Sequence, residues 1–507
     1  MEFKKISPLI VLSSSISFCT YSFICKVFAH ASGEEVFAQT LITTVFILGL
    51  GLGSFIAHFL KKPLKLFLFM ETFFCLILII LPLLLSIGLN FYDWNWAIFA
   101  SVIIFIVGLI SGFELPFYLH EFSHLTNKVL FLNYLGALIA GFIIYIGLEN
   151  IEVYKSFYYL GLMNTLFVIL LLICSSTKIY KFILPFCILA ALFVFNIQFY
   201  KENHKDIYKL NYLHLANKTL KQALEYSRKS AKILSLQSPY QKIDFVPAAI
   251  HQHYAQERSW GMYINHKPQF FSHSEIIYHQ TMGLYPYLYF NQHFKNVLIL
   301  GGGDLGVARE LSRLEPKPRV TVVELDAKIV DAAKYGPFLN TIVNTKKLEG
   351  NTRIIIDDAI HFLKTNKEQY DLILADFPYP TSFELSKLYT KEFYQLVAKR
   401  LSQQGKFVFD FPIYAQEHWN DRPLAIVLKG LQFAGFTSQR LIGDHDTFVF
   451  NSFQRIEKTE QGESYLDLFD LRTLSNLRDF SGKLETIDIH KAPIHSLFKP
   501  ARGFIVR

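Results

Sequence analysis

The sequence predicts two fold classes in one chain: an all-α polytopic membrane bundle over residues 1–200, and a doubly wound α/β domain in the C-terminal half, preceded by a small β-structure. Three observations carry this. Long apolar runs are confined to the first 200 residues. From Lys201 onward charged and apolar residues intermix as they do in globular α/β domains. From Asn296 onward, short apolar runs each end on an acidic residue. At 507 residues, with 51% hydrophobic and 16% aromatic content, the chain is too long for one domain and too apolar for water alone.

A helix that crosses a bilayer needs ~20 apolar residues, because its backbone polar groups must pair within the segment. Seven stretches qualify, at 7–29, 36–60, 66–89, 96–119, 129–149, 156–174 and 182–199, the last shortened and interrupted by Pro185. The first is too long for a signal peptide and no small-residue cleavage pattern follows it, so it reads as a retained span. The net charge of +8 gathers at span edges, as at Lys61, Lys62 and Lys65. That is the pattern of a multi-pass cell-membrane protein in contact with lipid, and it argues against a nucleic-acid partner. The basic 61–65 loop places the N-terminus inside. Seven crossings then put the C-terminal domain outside; six put it in the cytoplasm, beside nucleotide cofactors. The sequence leaves both open, along with a homo-oligomeric state.

The five cysteines all lie in the apolar half without metal-ligand spacing, so no metal is expected. Glu71 and Glu114 fall in or beside spans. Each has a functional reading and a plain one: Glu71 snorkels near a helix end beside Lys65, and Glu114 accompanies the break at Pro116. Gly49, Gly51 and Gly53 read as a close helix-packing face. Residues 201–237 alternate basic and apolar residues at helical spacing, which reads as an amphipathic linker.

NVLILGGGDLGVARE, from Asn296, is a buried strand, a glycine turn and a helix start. Glycines such as Gly301 and Gly303 let backbone turn tightly and approach a ligand. The next strand, RVTVVELD, ends in Glu324, about 20 residues past the turn, where a carboxylate can accept ribose hydroxyls. RIIIDD delivers Asp357 and Asp358, and DLILAD delivers Asp376, to the same sheet edge. Any one of these acids is equally well explained as a helix N-cap, but all of them together are not. Asp304, directly after the glycines, would repel a pyrophosphate; it suits a ligand with a cationic amine, such as decarboxylated S-adenosylmethionine.

Over about 238–450 the chain resembles the spermidine synthase family of polyamine aminopropyltransferases, especially its membrane-fused members. The matching stretches, in order, are SPYQKI, PQFFSHSEIIYHQ, GGGDLGVARE, VELD, IDDAIHFL, YDLILADFPYP and LYTKEFY. The resemblance implies a seven-stranded Rossmann-like domain at 272–450 behind a small β-structure at 238–271, with 451–507 as an extension carrying no legible motif. It implies that Gln241, Asp304, Glu324, Asp358 and Ala359, with the turn glycines and Asp326, hold decarboxylated S-adenosylmethionine as co-substrate. Gln269, Tyr278 and His279 would line the side of the amine acceptor, and Asp376 would be the catalytic base.

The chain departs from the family where Ser274, Gln280 and Tyr379 replace acids, which predicts weaker grip on a diamine. Asp410, where the family has Gln, is a candidate relocated amine-binding carboxylate. Leu305-Gly306 inverts the usual Gly-Leu order and puts a β-carbon where backbone would meet the ligand, unless the turn shifts. An S-adenosylmethionine methyltransferase and a non-catalytic nucleoside or polyamine sensor or transporter are the competing readings.

Overall fold

The computed structural model describes residues 2–174, 232–247 and 259–504 apart from short breaks, together with isolated positions between 209 and 225. It divides into two compact units, Met1–Glu257 with Ile264–Lys267, and Arg258–Tyr263 with Pro268–Arg507.

The first unit contains α1 (Phe3–Ser32), α2 (Glu35–His58), α3 (Pro63–Phe91), α4 (Trp96–Ser111), α5 (Glu114–Glu121), α6 (Thr126–Gly147) and α7 (Val153–Cys174). Among the described residues, six stretches are long and apolar enough to cross a membrane: Phe3–Ala29, Ala38–His58, Leu64–Pro82, Ile98–Glu121, Ser123–Ile146 and Ser156–Cys174. The expected seventh span at 182–199 and nearly all of the 201–237 linker lie outside the described residues.

The span expected at 96–119 is present as Ile98–Glu121, with a turn at Gly112-Phe113 after which α5 restarts at Glu114 with Pro116 in its first turn, where a missing N–H costs nothing. One expectation for this half changes. Glu71 does not snorkel: it is 1% exposed, because α3 turns it into the bundle. The glycine face behaves as read at two of its three positions. A β-carbon on Gly53 would lie 2.1 Å from the Leu109 carbonyl oxygen, and one on Gly49 2.6 Å from that of Phe105, so α2 and α4 pack backbone to backbone. Gly51 faces open space.

Four short strands precede the large sheet: β1 (Leu234–Gln237), β2 (Lys242–Pro247), β3 (Trp260–Ile264) and β4 (Lys267–Phe271). In the first unit β1 and β2 pair antiparallel from Leu234 opposite Phe245 to Gln237 opposite Lys242.

The second unit is built on β5 (Asn296–Gly301), β6 (Arg319–Glu324), β7 (Thr352–Ile356), β8 (Tyr370–Asp376), β9 (Leu401–Phe411), β10 (Ser438–Gly443), β11 (Thr447–Ser452) and β12 (Arg478–Asp479). Their order is β12-β10-β11-β9-β8-β5-β6-β7. β5 to β9 run parallel, β11 is reversed and pairs antiparallel with β9 and β10, and β10 therefore runs in the direction of the parallel set. This is a seven-stranded doubly wound sheet with a two-residue edge strand added. β5 and β8 read as continuous apolar runs because both of their faces are covered: Leu298, Leu300 and Ile373 are fully buried. The helices that matter below are α8 (Glu275–Gly283), α9 (Gly306–Leu311), α10 (Ala327–Tyr335), α11 (Ala359–Thr365) and α14 (Leu471–Asn476), with α12 (Lys391–Arg400) and α13 (Asp421–Phe433) completing the layers. Strand order reverses between β5 and β8, where sheets of this type open a crevice at their C-terminal edge.

Candidate active site

Register fixes the floor of this crevice. Gly301 is the partner of Asp376 across β5 and β8. Gly301 and Gly302 have φ of +81° and +66°, and a β-carbon on Gly301 would lie 2.2 Å from the Asp376 carbonyl oxygen. Gly303 has a different constraint: its β-carbon would meet the Glu324 side chain at 2.7 Å. Its N–H instead donates to Glu324 Oε2 at 3.1 Å, while Asp326 N–H donates to Oε1 at 2.8 Å. Burial raises the Glu324 pKa to about 7, with Asp326 and Asp304 adding to the rise against these two backbone donors.

Leu305 takes the left-handed conformation, φ +64°, with its side chain fully buried. Gly306 is fixed by a neighbour, since a β-carbon there would lie 2.4 Å from the imidazole of His279. Leucine therefore carries the backbone strain so that glycine can clear the histidine.

His279 stands between two carboxylates. Its Nδ1 bonds Glu275 one turn back on α8, and its Nε2 lies 3.6 Å from Asp304 Oδ1. Burial would lower its pKa, but Asp304 and Glu275 outweigh burial and raise it to about 10, so the ring is an imidazolium at neutral pH. Arg309 closes the network with a bidentate grip on Glu275, 2.9 Å to Oε1 and 2.8 Å to Oε2. Against its burial, the His279 and Arg309 bonds hold Glu275 down to about 2. Asp304 is thus not the free carboxylate the sequence pointed to: it accepts from Gly306 N–H at 2.7 Å and faces an imidazolium. The sequence reading missed Glu275 and Arg309; the Glu275–His279 spacing of four on one helix was the available signal.

The opposite wall is acidic, with no cation among the described residues. Tyr278 O–H donates to Asp376 Oδ1 at 2.7 Å, and Asp376 Oδ2 has no partner. Burial and the field of Asp304 raise Asp376 to about 6, opposed by His279 and Tyr278. Asp410 is buried in β9 with an unpartnered Oδ1; burial and the charges of Asp376 and Asp446 push it well above the usual carboxylate range. Tyr379 O–H donates to Asp446 Oδ1 at 3.0 Å.

The other residues singled out are placed as follows. Asp326 and Asp358 each cap a helix, accepting from Lys328 N–H at 3.0 Å at the start of α10 and from His361 N–H at 2.8 Å at the start of α11. Ala359, the first residue of α11, is buried. Gln269 is exposed on β4, while its neighbour Phe270 meets the His279 ring edge-on at 5.5 Å. Gln241 belongs to the first unit, where its N–H donates to Ser238 Oγ in the β1–β2 turn.

Gln280 is not an emptied amine contact. It is buried, and its Oε1 accepts from Asp470 N–H and Thr473 Oγ, both at 2.9 Å, tying α8 to α14. A carboxylate there would face Glu310, 3.3 Å from the Gln280 amide nitrogen. Ser274 precedes α8 and bonds back to the Phe271 carbonyl. The C-terminal extension is part of this unit as well: β12 pairs with β10, and His495 is buried with Nε2 2.9 Å from the Ser386 carbonyl oxygen.

Residues 271–418 match the spermine/spermidine synthase domain. The C-terminal half carries a domain of that family. The chain is 27% identical over 77% of its length, and 75% of the relative's, to a polyamine aminopropyltransferase of Oceanobacillus iheyensis. It is 26% identical over 84% of its length, and 85% of the relative's, to polyamine aminopropyltransferase 2 of Aquifex aeolicus. These relatives are transferases by name. A probable spermidine synthase from Corynebacterium glutamicum superposes with 16% identity and a TM-score of 0.39, covering 53% of this chain and 98% of that one.

Proposed function

We propose that the chain is a membrane-bound aminopropyltransferase that moves the aminopropyl group of decarboxylated S-adenosylmethionine onto an amine and releases methylthioadenosine. One observation carries the reading: at the switch point of the sheet, Asp376 and Asp410 are drawn into one acidic wall, and each keeps a buried oxygen with no partner. Oxygens of that kind are costly unless a cation or proton donor arrives.

In this reading Glu324 accepts the ribose hydroxyls, with Gly301 and Gly303 giving the nucleoside close passage. Asp358 and Ala359 sit at the adenine end, and the Asp304–His279 pair holds the aminopropyl end. Asp326 acts through α10, which it caps. Tyr278, Asp410 and Gln269 belong to the acceptor.

An alkylamine has a pKa near that of lysine, about 10.4, so it arrives protonated and cannot attack. Asp376 takes a proton from it. The nitrogen lone pair then forms a bond to the methylene beside the sulfonium, and the C–S bond breaks with its electron pair passing to sulfur. The sulfonium becomes a neutral thioether, so the leaving group needs no acid, and alignment of the two chains supplies much of the rest. A carboxyl at about 6 is suited to this task, because it is ionised at neutral pH yet close to the solution proton activity. Asp410, pushed well above the usual carboxylate range by burial and by the charges of Asp376 and Asp446, is placed to accept from an ammonium group of the acceptor.

The acceptor site differs from a diamine site in that Tyr379 and Asp446 hold each other. This favours an acceptor gripped through fewer charges, and poor use of putrescine. The test is product identification by mass spectrometry, with decarboxylated and intact S-adenosylmethionine offered separately against a panel of amines. Methylthioadenosine release from the decarboxylated donor alone, abolished in D376N, is the expected result. Turnover of the intact donor, or equal release from wild type and D376N, would overturn the reading.

A further inference from the structure

The helical unit contains a second acidic site. Both carboxyl oxygens of Glu71 on α3 are buried without a hydrogen-bond partner among the described residues, while the Asn164 amide of α7 lies alongside and donates to the Glu71 carbonyl oxygen at 3.1 Å. Glu114, at the start of α5, is also buried and accepts from Ser17 Oγ of α1, which in turn accepts from Ser111 Oγ of α4 at 3.0 Å. The two carboxyls lie within electrostatic reach of each other, and no basic side chain is among the groups acting on either. Four helices thus bring two acids together in an apolar bundle and, among the described residues, supply no counter-charge, an arrangement that calls for a cation.

The lining indicates which cation. Phe67 lies one turn before Glu71 on α3, and Phe117 lies one turn after Glu114 on α5; their rings stack with centroids 4.2 Å apart. Each acid therefore lies one helical turn from a ring of this stacked pair. Carboxylates beside aromatic faces suit an ammonium group, which takes hydrogen bonds on its N–H edges and leans its methylenes on rings. A hard metal ion wants about six oxygen ligands, and among the described residues no three His, Cys, Asp or Glu side chains converge.

We propose that this cluster binds the primary ammonium group of an alkylamine between Glu71 and Glu114, as a second amine site distinct from the one on the synthase domain. The inference stands on the bundle's own residues and does not require the transferase reading.

The test is equilibrium dialysis of radiolabelled spermidine against the full-length chain in detergent micelles. Two components are expected, one lost in D410N and the other weakened at least tenfold in E71Q and E114Q. S17A, which keeps both carboxyls, should weaken the second component a few-fold and guards against misfolding of the acid variants. Aminopropyl transfer should stay within twofold of wild type in E71Q. Spermidine binding unchanged in E71Q, E114Q and S17A would overturn the proposal. So would sodium uptake at this site that no amine displaces. If the transferase reading alone is wrong, the component sensitive to D410N is missing while the one sensitive to E71Q remains.

Discussion

The substitution D376N removes a carboxyl that the fold holds at about 6, against an ordinary value of 3.8. Burial and Asp304 make the ionised form costly, so the folded state binds this proton more tightly than the unfolded chain does. Stability from this group is therefore full at low pH and is lost as pH rises from 3.8 towards 6. At about 1.4 kcal/mol per unit, the roughly two-unit rise amounts to about 3 kcal/mol by pH 8, of which about half is already lost at pH 5. Asparagine keeps the shape and can accept from Tyr278, but it does not titrate. Relative to wild type, D376N should gain about 1.5 kcal/mol of stability between pH 5 and pH 8, a shift of several degrees in melting temperature for a unit of this size. It should release methylthioadenosine only at background rate. The assay is thermal unfolding of the full chain in detergent at both pH values, alongside product release. A D376N advantage that is absent, or that shrinks as pH rises, would refute the assignment of Asp376 as a carboxyl strained by burial.

Four further outcomes follow from the same geometry. Transfer by wild type should show an acid limb near pH 6, since Asp376 must lose its proton to act; a flat rate from pH 5 to pH 8 would dissociate the rate from this group. G306A should cost about 1–3 kcal/mol and most activity, because its methyl group enters the His279 ring, whereas L305G should be tolerated; denaturant melts of both variants check this. Q280L should destabilise by about 1–3 kcal/mol by leaving Asp470 N–H and Thr473 without an acceptor, with little change in KM for the amine. Y379D should improve putrescine use at the expense of the native acceptor, read as a change in the ratio of kcat/KM values.

Much of the fold was legible because its signals are local. An apolar run of about 20 residues declares a helix of membrane length whatever its neighbours, and strand, glycine turn and acid repeat within short windows from Asn296 to Asp376. The convergence of Glu324, Asp358 and Asp376 on one sheet edge follows from parallel strands of similar length. What stayed hidden depends on pairs distant in sequence. Nothing near Gln280 announces Asp470, so its change from an acid read as lost amine binding. Asp304 looked free because its partner, His279, comes from another helix. Glu71 looked able to reach solvent because the sequence cannot say which way α3 is rotated.

The Gln280 contacts have a consequence for the end of the chain. The helix presenting Tyr278 and His279 is clamped from behind by residues near Thr473, so whatever disturbs the tail, be it a premature stop, a fused tag or proteolytic trimming, reaches catalysis without touching the crevice. The segment around α14 works as a buttress.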